Sequence, residues 1–107
     1  MKAKPVKLIK GEGYVACKKD EATHLTINFP SPAGLITLPV MIGGTRKGTN
    51  NWTWDGDTEK PTLRPSVKTT NHSGLCCHSW VNDGEAEFLS DCSHDLANTT
   101  VEMLEVN

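Results

Sequence analysis

No stretch of this 107-residue sequence approaches the roughly 20 consecutive apolar residues that a membrane-spanning helix needs. The basic opening segment MKAKPVKLIKGEG also lacks the roughly 7–15-residue apolar core of a secretory signal. A cytoplasmic protein is the expectation. An excess of one charge is missing too. Lys and Arg total 11 against 13 Asp and Glu, for a formal net charge of -2. CKKD (17–20) and TRKG (45–48) are short and solvated, which argues against a nucleic-acid surface. Neither C-x-x-C nor H-x-x-x-H spacing occurs, so nothing in the sequence presets a metal geometry. GGTRKG (43–48) lacks the spacing of a phosphate loop, and DGDTE (55–59) fails that of a calcium loop. Four cysteines without an export signal are best read as reduced thiols. Cys76 and Cys77 are adjacent and cannot bridge without severe strain.

What the sequence does contain is the punctuation of a β-protein. Short β-branched or alternating runs are separated by Gly, Pro, Asn and Asp. PVKLIK and YVACKK flank a Gly-Glu-Gly turn, and HLTINF and LITLPVMI flank PSPAG, a second hairpin. WTW (52–54) puts two indoles on one face of an extended segment. TLRPSVKTT reads as a strand whose Pro65 marks an edge or a bulge. TTVEMLEV closes the chain as a further strand, and one or two helical turns fit only at DCSHDLAN. Residues 1–107 are expected to form one domain, mainly β or β-rich α+β. The predicted architecture is a small sandwich or partly open barrel of antiparallel hairpins.

The chemistry is concentrated in CCHSWVNDGEAEFLSDCSH (76–94), which holds three of the four cysteines and two of the four histidines. Asp83-Gly84 between two strand-like runs predicts a two-residue hairpin turn, because a type I′ turn needs positive φ at both positions. The register follows: Ser79 faces Phe88, Trp80 faces Glu87, and His78 faces Leu89. Cys77, Ser79, Val81, Ala86, Phe88 and Ser90 then form the core face. Cys76, His78, Trp80, Glu87, Leu89 and Asp91 form the other. Asp91 becomes the diagonal neighbour of His78, within reach of an imidazole–carboxylate hydrogen bond. Asp91 would also cap a short turn that brings His94 to the same side. His78, Asp91 and His94 are thus expected to gather.

The ordered set PTLRPS (61–66), CH (Cys77, His78), DG, F, Asp91 with His94, LA and TV resembles a family of small phage and bacterial domains. Members are often left uncharacterised or labelled ammonia monooxygenase. Relatives occur in bacterial operons for ubiquitin-like conjugation and are taken to be peptidases. The resemblance implies Ser66, His78, Asp91 and His94 as the site residues. Many relatives carry paired cysteines where this sequence reads FPSPAG (29–34), so a metal knuckle at that position is lost.

Two chemistries suit this cluster. In a serine hydrolase His78 would be the base for Ser66, with Asp91 or His94 holding its ring. That enzyme would need no cofactor, and a ubiquitin-like protein or a host protein would be its partner. In the alternative, His78, Asp91 and His94 would bind zinc, with Cys76 or Cys92 as extra thiolates. A third option is non-enzymatic: Trp52, Trp54 and Trp80 would anchor a host factor, although core packing is the commoner role of such indoles.

Overall fold

The structure, a computed structural model, describes residues 1–42, 51–70 and 73–106. The GGTRKG run lies outside the described residues. Hairpin β1 (Ala3–Ile9) and β2 (Gly13–Ala16) turns through Gly-Glu-Gly, as the spacing predicts. Strands β3 (His24–Asn28) and β4 (Leu35–Ile42) form the second expected hairpin. β1 pairs antiparallel with β3. β5 (Trp52–Trp54) and β6 (Leu63–Arg64) complete a six-stranded sheet in the order β2-β1-β3-β4-β5-β6. One feature departs from the hairpin-only expectation: β5 lies parallel to β4. A parallel pair needs a crossover connection instead of a tight turn, and no turn signal could announce it.

A second sheet holds β7 (Val67–Thr70), β8 (Cys76–Asn82), β9 (Glu85–Phe88) and β10 (Thr100–Glu102), in the order β10-β9-β8-β7. The chain changes sheets at Pro65. β6 is the last strand of the first sheet and β7 the last of the second, so Pro65 sits between two edges. The missing N–H of proline is tolerated there, where no ladder runs through the residue. The Arg64–Pro65 peptide bond is cis.

The two sheets share one core. Leu25, Ile27, Leu38, Val40, Trp54 and Leu63 supply it from the first, and Val67, Val81, Ala86 and Phe88 from the second. Burying a side chain such as Phe88 stabilises the fold by about 1.5–3 kcal/mol relative to leaving it in water. Both sheets stay open, and neither closes into a barrel. Among the described residues the only helical element is a 3-10 turn at Lys19–Glu21, and residues 95–98 form a turn where a helix was expected. No helix among the described residues is long and apolar enough to cross a membrane.

The β8–β9 hairpin has the expected register, with Ser79 opposite Phe88, Trp80 opposite Glu87 and Val81 opposite Ala86. Asp83 and Gly84 have φ of 50° and 79°. Cys77, Ser79, Val81, Ala86 and Phe88 are all buried. Ser90 is exposed, because β9 ends at Phe88 and the alternation ends with it. The loop between β5 and β6 packs on this turn: Asp83 N–H donates to Thr62 Oγ1 at 2.9 Å, and Gly84 N–H donates to Pro61 O at 3.0 Å.

A Cβ on Gly84 would stand 3.0 Å from the Lys60 Cα, whereas one on Gly11 would meet nothing within 4 Å. Both glycines have positive φ. Gly84→Ala should therefore destabilise the protein by about 1–3 kcal/mol. Gly11→Ala should cost less, since it meets the backbone penalty without the contact. Urea unfolding midpoints of the two variants check the order.

Candidate active site

His78 reaches the solvent side of the second sheet because its neighbours Cys77 and Ser79 point into the core. On the adjacent strand Val67 pairs with Ser79 and Lys68 with His78. Ser66, one residue before β7, is carried to the imidazole by that register. Its Oγ lies 2.8 Å from His78 Nε2. The other ring nitrogen, Nδ1, lies 2.9 Å from Asp91 Oδ2 and 3.1 Å from Oδ1. Serine, histidine and aspartate form one continuous hydrogen-bonded chain. The indole of Trp52, reaching from the first sheet, donates to the Ser66 carbonyl at 3.2 Å and holds the backbone of that serine.

An ionised carboxylate can only accept, so Nδ1 carries the proton that faces Asp91. In the neutral ring Nε2 is then an acceptor, and the Ser66 hydroxyl donates to it. The hydrogen bond from His78 holds the Asp91 carboxyl below the usual carboxylate range. The charges of His78 and Lys68 push the same way, while partial desolvation opposes them. Lys68 Nζ is 3.9 Å from Asp91 Oδ2. The Asp91 side chain is 47 % exposed and that of His78 23 %, so water screens the pair in the free protein.

His94 is not part of this chain. Its ring meets Phe88 edge-on, with centroids 5.0 Å apart, and Nδ1 accepts the Leu96 N–H at 3.2 Å. Phe88 belongs to the core face and His78 to the opposite one, so the two histidines lie on different sides of the hairpin. The expected gathering assumed a helical turn from Asp91. Residues 91–93 instead run along β8, with Ser93 N–H donating to the Cys76 carbonyl at 3.0 Å. The three-residue helical spacing therefore does not apply. Among the described residues no group of three or more His, Cys, Asp or Glu side chains is placed to hold a metal ion. Cys77, the residue before His78 in the sequence, is buried, and desolvation pushes its thiol pKa up. It is a small core hydrophobe.

Two cavities lie on the face that carries the imidazole. One of about 530 Å³ is lined by His78, Glu87, Leu89, Asp91, Asn98 and Thr100 among others. A smaller one of about 290 Å³ lies between Arg64, Trp80, Asn82 and Glu87. The Arg64 guanidinium sits 5.2 Å above the Trp80 ring and donates to Asn82 Oδ1 at 2.8 Å. Glu87 borders both spaces. A larger cavity of about 650 Å³, beside Phe29, Leu75 and His94, does not include the Ser66–His78–Asp91 chain. Of the three tryptophans, Trp54 is core, Trp52 packs against the core while holding Ser66, and Trp80 stands on the His78 face. The Trp52 contact has no signature in the sequence, because it joins two sheets.

A family model described as bacterial ubiquitination-like system serine protease (BubE) matches residues 4–89 of the chain. No curated protein and no solved structure matches it. The matched span contains Ser66 and His78 and stops two residues short of Asp91.

A carboxyl whose pKa is lowered by folding contributes stability above its unfolded pKa, and that stability is lost as pH falls through the folded pKa. For Asp91 the window is therefore the acidic side of the ordinary carboxylate range. In a carbon-detected carboxyl titration Asp91 should titrate below that range and move up toward it in His78→Ala, since the His78 bond is the largest contributor. An unmoved Asp91 would contradict the pairing.

Proposed function

We propose, from the premise that the chain belongs to the BubE family of bacterial ubiquitination-like system serine proteases, that Ser66, His78 and Asp91 are the catalytic triad of a small serine hydrolase. The observation that carries the reading is the unbroken chain Ser66 Oγ–His78 Nε2, 2.8 Å, and His78 Nδ1–Asp91 Oδ2, 2.9 Å. A serine hydroxyl is a weak nucleophile at neutral pH unless a neighbouring base takes its proton. His78 Nε2 is within the reach that a base requires.

In the reaction Ser66 Oγ attacks the substrate carbonyl carbon, and its proton passes to His78 Nε2. Asp91 accepts the Nδ1–H throughout and stabilises the imidazolium without itself taking the proton. The C–N or C–O bond to the leaving group then breaks, and His78 hands that group its proton. Water attacks the resulting acyl-serine, again losing its proton to Nε2. The acid is freed and Ser66 Oγ regains its hydrogen. The substrate that best suits the family is the tail of a ubiquitin-like protein. It would lie across the open face of the second sheet, between the two spaces that Glu87 borders.

His94 takes no part in this scheme, because its Nδ1 is used by the Leu96 N–H. A zinc site has no comparable support from the arrangement of the side chains. Neither does a host-factor surface built on Trp54, which is 1 % exposed.

Ser66→Ala and His78→Ala should each reduce cleavage of a ubiquitin-like fusion or an activated ester by about 10³-fold or more, and combining them should cost little extra. Asp91→Asn should lower kcat by about 10²–10⁴-fold, because the ring loses its orienting acceptor. His94→Ala should keep its kcat within a few-fold of the parent. Steady-state rates with circular dichroism as a folding control check all four.

A further inference from the structure

The β9 ladder stops at Phe88, but β8 extends back to Cys76. Beyond that point the segment after β9 meets its backbone groups through both backbone and side-chain bonds. Leu89 N–H donates to the His78 carbonyl at 2.9 Å. Cys92 Sγ then accepts the His78 N–H at 3.2 Å, and its S–H donates to the His78 carbonyl at 3.1 Å. One residue later the pattern repeats. Ser93 Oγ accepts the Cys76 N–H at 2.5 Å, while Ser93 N–H donates to the Cys76 carbonyl at 3.0 Å. Residues 92 and 93 thus dock on β8 at 78 and 76, two places apart along the strand.

This docking has a consequence for the site. Asp91 is bonded covalently to Cys92, and its carboxylate meets the ring of the same histidine whose backbone Cys92 grips. The remaining charged neighbour of Asp91 is Lys68 on β7, at 3.9 Å and 59 % exposed, too far and too wet to fix a carboxylate. The backbone bonds of Leu89 and Ser93 anchor the segment on either side, and Cys92 is the residue next to Asp91 that bonds to His78 itself.

We propose that Cys92 is a positioning residue: its thiol, bonded to both backbone groups of His78, sets the distance between the Asp91 carboxylate and the imidazole. The effect on rate rests on the hydrolase reading above, whereas the effect on geometry does not. A thiol is a weak donor and a weak acceptor, so two contacts do together what one amide would do alone. The competing role is plain packing, since Cys92 is half-buried against the core. The two roles respond differently to substitution. Serine keeps a donor and an acceptor but sheds apolar volume; valine and alanine keep apolar character and lose both bonds.

The test is made on Cys92→Ser, Cys92→Val and Cys92→Ala, with two readouts. The first is the Asp91 carboxyl titration, and the second is kcat and KM on an activated ester. Cys92→Ser should match the parent in both. The apolar variants should raise the Asp91 titration toward the ordinary carboxylate range and lower kcat by about 10- to 100-fold with KM within about twofold, the size expected for a displaced catalytic group. Alanine serves where branched valine unfolds the chain. An apolar variant with the parent's Asp91 titration and kcat would overturn the proposal. So would a serine variant that fails as valine does, which would make packing the cause. If the parent itself hydrolyses nothing, the hydrolase reading falls, and the Asp91 titration alone still decides whether Cys92 sets the geometry.

Discussion

A two-residue turn governs the site. With positive φ at Asp83 and Gly84, the β8–β9 register has one solution, and side-chain alternation then sends Cys77, Ser79 and Val81 inward. His78 and Trp80 are left on the open face. A slip of one residue would bury the imidazole and expose the core positions, a change no other contact could offset. Two layers protect the turn. Core burial of Val81, Ala86 and Phe88 holds it from within, and the loop before β6 holds it from outside through Thr62 and Pro61.

The serine comes to the histidine by a different route. Ser66 lies just after the point where the chain leaves one sheet for the other, next to Pro65. Three elements meet there: β8 supplies the imidazole, the segment after β9 supplies the carboxylate, and β7 delivers the hydroxyl. Trp52 from the first sheet holds the serine carbonyl, so the site depends on how the two sheets stack. This explains why the hydrogen-bonded chain can sit on an open, partly wet surface and still keep its geometry. Rigid strands position it, and side-chain bonds at Cys92 and Ser93 continue the order after the ladder ends.

Much of this was legible in the sequence, for reasons that differ by residue. The hairpins at Gly-Glu-Gly, PSPAG and Asp83-Gly84 announce themselves by turn chemistry, and the His78–Asp91 proximity follows from register and diagonal reach. Ser66 was suggested by family resemblance and not by any local pattern; only the sheet change at Pro65 places it. The parallel β4–β5 pair was illegible because its two strands are joined by a crossover. His94 was misplaced because DCSHDLAN has the composition of a helical turn. Cys92 and Ser93 bind residues 91–93 to the strand instead, a tertiary preference that local propensity does not contain.

The central claim is that Ser66 is a nucleophile activated by His78. Fluorophosphonates react with an activated serine hydroxyl and leave a stable phosphonyl adduct, so peptide mapping of the labelled protein by mass spectrometry tests the claim without knowledge of the substrate. The account predicts one adduct per chain, on Ser66, absent when His78 is replaced by alanine. Labelling spread over several serines, or an adduct on Ser66 that survives the loss of His78, would contradict it.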